Sequence, residues 1–310
     1  MQKNNRVYGL VGIYGQMSMW NADMNHNPKT TANDIIYGSD KALKYAIKKY
    51  WQNEGKKILY IKHRDKEFNL LNLKQVYEKE FGEALPKEKD ADKNSRVIRN
   101  ILKCDDVRNF GATFAVEKIN IGITGPVQIG QGLNILENSN IETIEIMSPF
   151  VNSTKEDATQ TSLGTKIVVD EVMYQYPVAI NPSNMNDVAE VTDGYDGYEN
   201  SDYENLKRAL LICANALDTN SKSGCENAYT LLIELKEGSK LYLANLQNYV
   251  SIDKTKTLDI TKLQEYLNPV LDEILSVEFY YNKEIINLKC IEPWSEKFVI
   301  KGMYDDFIKI

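Results

Sequence analysis

Residues Arg6–Tyr14 read RVYGLVGIY. The run is apolar and β-prone, with Gly9 and Gly12 inside it and Gly15 just beyond, the pattern of a central strand with close backbone neighbours. Working outward, Met17–Tyr37 (MSMWNADMNHNPKTTANDIIY) is a polar loop rich in Asn and Thr. Loops of that length inside a domain are usually functional or disordered. A helix is predicted to start at Ser39, a good N-cap, with Asp40 placed in the first turn where a carboxylate suits the helix dipole. Ala42, Leu43, Ala46, Ile47, Tyr50 and Trp51 recur at helical spacing and mark the buried face, while Lys41, Lys44 and Lys48 fall roughly opposite. Gly55 ends the helix, and Lys57–Lys62 (KILYIK) reads as a returning strand. The resulting β–loop–α–β order is the opening half of a ferredoxin-like fold.

The rest of the chain completes that pattern. Phe68–Phe81 reads as a second helix, Pro86–Ser95 (PKEKDADKNS) as a charged linker, and Arg96–Lys103 as a short basic segment. Ile141–Met147 and Lys166–Tyr176 read as strands, and Asn181–Glu199 as loop. Ser201–Leu217 places Leu206, Leu210, Cys213, Ala214 and Leu217 on one helical face, and Ala228–Leu235 follows as a strand. The expectation is one α+β domain over residues 1–310, an RRM-like (ferredoxin-like) core with a large insertion. A C-terminal appendage over 237–310 is expected to hold a strand near Leu241, a helix over Thr261–Leu275 and strands over Val277–Tyr281 and Ile285–Ile291.

Asp106–Gly132 (DVRNFGATFAVEKINIGITGPVQIGQG) is the most informative stretch for function. Gly111, Gly122, Gly125, Gly130 and Gly132 allow close approach to a ligand. Pro126 sets a turn, and Thr124, Gln128 and Gln131 offer hydrogen bonds without charge. Such a segment suits laying main chain and amides along a polymer. It is not a P-loop, because Gly125 is followed by Pro rather than by Lys-Ser/Thr at the required spacing, and no dinucleotide fingerprint follows a predicted strand.

Composition narrows the classes further. The 310 residues are 43% hydrophobic, ample for a core, and no apolar run is long enough for a membrane span. The N-terminus lacks the basic and apolar regions of a signal peptide, so a cytoplasmic protein is expected. Four scattered cysteines, Cys104, Cys213, Cys225 and Cys290, read as reduced thiols rather than as a disulfide or zinc framework. With two histidines, His26 and His63, no metal centre or cofactor is expected. The net charge of −7 is unevenly spread. Met1–Leu136 carries 22 Lys+Arg against 15 Asp+Glu, whereas Glu137–Ile310 carries 15 against 29. One half is therefore suited to a polyanion and the other to protein or solvent.

Lys41, Lys44 and Lys48 would contact phosphates, releasing counterions, or simply form a wet helix face. In the loop around Asn21, Asp23, Asn25 and His26, one carboxylate could hold a divalent cation near a scissile phosphate; the commoner role of such an Asp is an Asx-turn. Trp20, Phe110, Tyr174 and Tyr176 are candidates for stacking on bases, although most aromatics in a mixed sheet are core. The acidic run Asp193, Asp196, Glu199, Asp202 and Glu204 lies before and in the first turn of a predicted helix and reads as cap and surface.

With these residues in view, the sequence resembles the backbone-subunit family of type I CRISPR Cascade complexes (the Cas-seven family), closest to the type I-B branch. The resemblance rests on the opening strand followed by Asn21–Asn25 (NADMN), Gly38–Tyr45 (GSDKALKY), Asp106–Ala112 (DVRNFGA), Thr124–Gln128 (TGPVQ) and Tyr176–Pro182 (YPVAINP). It implies an RRM-like palm, helical fingers inserted over 64–104, and a β-hairpin thumb over 119–136. It also implies a non-catalytic subunit that polymerises on crRNA and leaves the bases free to pair with target DNA. Partners would be crRNA, target DNA through the guide hybrid, further copies, other Cascade subunits and a recruited helicase–nuclease. RNA contacts are expected from Asn21, Ser39, Lys41, Lys44, Lys48, Arg108, Phe110, Gly111, Thr124, Gln128 and Gln131. Two other functions stand beside this one: a metal-dependent RNA endonuclease of the type III backbone kind using Asp23, and a protein scaffold that binds no nucleic acid.

Overall fold

The computed structural model describes residues 1–87, 90, 92–147, 163–292 and 295–305. The first strand, β1 (Val7–Ser18), leads through the loop to β2 (Tyr37–Gly38) and α1 (Asp40–Asn53). Three helices follow: α2 (Leu73–Phe81), α3 (Lys93–Ile101) and α4 (Asp105–Phe110). The glycine-rich stretch holds β3 (Gly111–Val116), β4 (Ile119–Thr124), β5 (Val127–Ile129) and β6 (Gly132–Asn134). Next come β7 (Ile141–Met147), β8 (Leu163–Ile180), α5 (Asn186–Val191), α6 (Asn200–Ile212) and β9 (Cys225–Leu235). The C-terminal part adds β10 (Ser251–Ile252), β11 (Thr257–Asp259), α7 (Thr261–Leu267), β12 (Ile274–Tyr281), β13 (Asn287–Lys289) and β14 (Phe298–Gly302).

As its composition predicts, β1 is central. It pairs antiparallel with β8 from Val7↔Ile180 to Ser18↔Val169, and with β9 from Val7↔Glu234 to Gly15↔Cys225. The main sheet runs β14-β12-β9-β1-β8-β6-β2, with β5 and β7 also on β8. Alternation along β1 sends Val7, Val11 and Ile13 into one core and Leu10 and Tyr14 into another. The first core takes Leu43, Ile47 and Trp51 of α1, Leu206 and Leu210 of α6, and the inner faces of α2, α3 and the β3–β4 hairpin. The second is closed by Leu243, Leu246, Leu258, Leu263 and Ile286 of the C-terminal part. That part also extends the sheet, since β12 pairs with β9 and β14 with β12.

Several expected elements differ. Lys57–Lys62 is not a strand, because its backbone bonds to α4 instead of a ladder. The Leu59 and Tyr60 amides donate to the Asp106 carboxylate at 2.9 and 2.8 Å, and the Asp105 amide donates to the Lys57 carbonyl. Ile58 and Leu59 are apolar because they are core. The second helix starts at Leu73 rather than at Phe68: Phe68 has φ 68°, and the start is fixed by the Asn72–Gln75 capping box. Arg96–Lys103 lies largely within α3. The helix expected to reach Leu217 ends at Ile212, where Asn227 donates to the Leu210 carbonyl and accepts from the Ala214 amide. Thr261–Leu275 is α-helical only to Leu267, and Pro269 follows in a 3-10 turn. Leu241 lies in no strand, and β14 was not anticipated from the sequence.

The Asp106 carboxyl is 2% exposed, and burial raises its pKa against the pull of its two amide donors. The folded chain thus keeps this proton to higher pH than the unfolded chain, and the group's contribution to stability falls as pH rises through that window. Asp106→Ala removes the acceptor of two inward amides and is expected to cost about 3 kcal/mol in urea unfolding. A loss below about 0.5 kcal/mol, the range of ordinary surface substitutions, would show that water replaces the carboxylate.

Candidate nucleic-acid interface

The start of α1 faces a cleft of about 450 Å³ lined by Lys29, Thr30, Thr31, Tyr37, Ser39, Asp40, Lys41, Gln131 and Leu133. Its geometry follows from the cap. The Ser39 hydroxyl accepts from the Ala42 amide at 3.3 Å and donates to the Asn21 side-chain oxygen at 2.8 Å. Asn21 is almost buried and donates in turn to the Tyr37 carbonyl. Gln131 accepts from the Asp40 amide and donates to the Asp40 carboxylate, both at 3.3 Å. Lys41 is exposed, and Lys44 lies 3.3 Å from the Asp40 carboxylate and 5.5 Å from the Phe110 ring centre. The N-terminus of this 14-residue helix, with lysines beside it, carries the positive end of the helix dipole, although its Asp40 and Ala42 amides are already bonded. Asn21, Ser39, Lys41, Lys44 and Gln131, each expected from the resemblance to contact RNA, are thus gathered around the start of α1.

The other expected contacts lie apart. Arg108 is held by Asp105 at 2.9 Å and Asp202 at 2.8 Å and also donates to the Leu102 carbonyl. Burial alone would lower its pKa, but the two carboxylates outweigh that and raise it. Lys48 donates to the Tyr60 carbonyl at 2.6 Å, and burial lowers its pKa. Both cations serve the fold, because each lies beside buried acceptors that need them. Phe110 stacks on Trp51 at 5.7 Å. Trp20, Tyr174 and Tyr176 are at most 1% exposed and offer bases no face.

The glycine-rich segment is divided. Residues 119–136, expected as one thumb hairpin, contribute β4 to a two-stranded pair with β3 and send β5 and β6 to the edge of β8. Among its five glycines only Gly111 has positive φ, 81°, where a side chain would overlap the Ile123 carbonyl. Thr113, Asn120, Gly122, Thr124 and Gln128 are exposed, and Gln128 donates to the Gly125 carbonyl. The hairpin of β7 with the start of β8 is a separate ribbon, exposed at every β7 residue, including Ile144 and Ile146. The sequence reading gave strands in both halves of this ribbon but not their exposed pairing, and it missed the cleft residues Lys29, Thr30, Thr31 and Tyr37. The length and polarity of the loop over 17–37 were the available signal for the latter.

Asp23 behaves as an Asx-turn residue: its carboxylate accepts from the Asn25 and Asn27 amides at 2.8 and 2.9 Å. Among the described residues, no three His, Cys, Asp or Glu side chains gather as metal ligands. No helix among them is long and apolar enough to cross a membrane.

A family model described as CRISPR-associated protein Cas7 matches residues 5–270. The chain belongs to the Cas7 family. Among solved structures, a chain of a "CRISPR RNA-guided surveillance complex, pre-nicking" is similar in fold, with TM-score 0.51 and 11% identity over 93% of this chain and 96% of its own. A chain of a "CRISPR RNA-guided surveillance complex" matches over 92% and 95% respectively, with TM-score 0.43 and 11% identity. No curated protein matches the sequence. The matched residues include β1, β8 and β9 and every residue that lines the cleft.

Arg108→Ala would strand two carboxylates that are 7% and 5% exposed. It is expected to cost about 3–5 kcal/mol of folding stability, read by urea unfolding. A variant as stable as the parent would return Arg108 to the list of phosphate contacts.

Proposed function

We propose that this Cas7 chain is a non-catalytic, crRNA-binding backbone subunit of a type I CRISPR effector (Cascade), nearest to the I-B branch. The observation that carries this reading is the cleft at the start of α1, where a capped helix N-terminus, Lys29, Lys41 and two amide side chains converge. These groups recognise a phosphodiester and are indifferent to base identity, as a guide whose bases must remain free requires. The strand order β9-β1-β8 with β5 and β6 beyond, and α1 and α6 on one face, supports an RRM-like palm. Its opposite face is closed by the C-terminal part, which agrees with a guide held by its backbone rather than stacked on the sheet.

In this reading residues 64–104 form the fingers. The β7–β8 ribbon, rather than the segment 119–136, reaches over the guide as a thumb. The basic first half faces RNA, and the acidic second half meets the basic half of the next copy, an arrangement that builds an open helical filament. Other Cascade subunits would flank it, target DNA would pair with the exposed guide, and cleavage would fall to a recruited helicase–nuclease. The Asp23 endonuclease alternative has less support, since that carboxylate is engaged by its own loop.

Protein co-expressed with a CRISPR array is expected to purify as multimers carrying short RNA, seen in the 260/280 nm absorbance ratio and on nuclease-treated gels. Lys41→Ala is expected to weaken RNA binding and to lower the slope of log K against log salt by about 0.7, one phosphate on a single strand. Protein free of RNA that also ignores added guide at low salt would overturn this function.

A further inference from the structure

The three segments that build the cleft meet on one buried side chain. Gly38 and Gly132 face each other in the β2–β6 register, immediately before Ser39 and after Gln131. A Cβ at Gly38 would overlap the Tyr176 hydroxyl, and one at Gly132 would lie 2.5 Å from the Tyr176 ring. The absence of both side chains lets the two segments rest directly on that ring. From the third segment the Trp20 indole N–H donates to the Tyr176 hydroxyl at 2.6 Å, just before Asn21. Lys222 secures the same turn by donating to the Met19 and Trp20 carbonyls. Tyr176 itself is fully buried toward the C-terminal end of β8, opposite Val11 of β1.

We infer that Tyr176 is the positioning residue of the guide-phosphate site. Through its ring it sets the spacing of Ser39 and Gln131, and through its hydroxyl it fixes Trp20 and hence Asn21. It touches no RNA. This rests on the reading of the α1 cleft as the guide site. Removing the hydroxyl leaves the Trp20 N–H without its acceptor, and the segment carrying Asn21 keeps its backbone tie to Lys222 but loses its side-chain anchor. The Ser39 hydroxyl, which donates to Asn21, then loses its fixed direction. The defect therefore belongs to the site and not to the core, because the ring that fills the core remains.

The test is binding of fluorescein-labelled single-stranded RNA of mixed sequence to the full chain across a salt series. Thermal unfolding is followed in parallel. Tyr176→Phe is expected to weaken binding about tenfold, or about 1.4 kcal/mol, and to lower the salt slope by about 0.7. Ile233→Val, buried in the opposite core, controls for lost stability and is expected to change neither quantity. Gly38→Ala is expected to impair binding less in the Tyr176→Phe background than in the parent, because the hydroxyl it would strike is gone. Parent-like affinity and slope in Tyr176→Phe, with the parent binding RNA, would overturn the positioning role alone. Failure of the parent itself to bind RNA would overturn the site and the role together.

Discussion

The structure depends on the pairing of β1 along both of its edges. A strand buried on both faces has no water for its amides and carbonyls, so each must find a partner in the chain. Here β8 and β9 supply them over almost the whole length of β1. Once that triplet exists, alternation along β1 creates two cores, and everything else in the chain is placed by which core it fills. Helices α1–α4 and α6 take one, and the C-terminal part with α7 takes the other. The sheet face opposite α1 and α6 is thereby closed, and the α1 cleft lies at the sheet's rim, beside β2 and β6.

At that rim the chemistry is economical. A helix start, a serine cap, two amide side chains and a few lysines form the cleft without any deeply buried charge. The buried charges lie elsewhere. Asp105, Arg108 and Asp202 fasten α4 to α6, and Asp106 holds the strap at Leu59–Tyr60. Desolvated cations with close carboxylates are costly to free, so they are poorly suited to exchanging partners with a ligand. Exposed lysines with water around them are suited to it. This difference separates Lys41 from Arg108 and Lys48, which composition alone cannot do.

How much was legible follows from the range of the forces involved. The start of α1 was readable to the residue, because a serine cap, a first-turn acid and an apolar stripe act within a few positions. The central place of β1 was readable from its apolar run. Lys57–Lys62 was misread because its β-propensity serves burial, and the competing acceptor, Asp106, lies far along the chain. The glycine-rich segment was recognised as unusual, but its division between a hairpin and the edge of β8 depends on long-range pairing. Asn21, Ser39 and Gln131 were each singled out; their meeting was not deducible, since it is made by Tyr176, which from sequence was a candidate for stacking on bases.

The length of β8 has a consequence for how this protein can change. Its 18 residues, about 60 Å if fully extended, carry the exposed ribbon at one end and the tyrosine beneath the cleft nearer the other. Side chains alternate along a strand, so one residue gained or lost between Val169 and Tyr176 would turn that tyrosine to the opposite face and shift every later pairing with β1. The segment between them can tolerate substitution but not a change of length. A change of length that alters the ribbon's reach is therefore accommodated only on the far side of Val169, and the strand acts as a fixed ruler between the ribbon and the cleft.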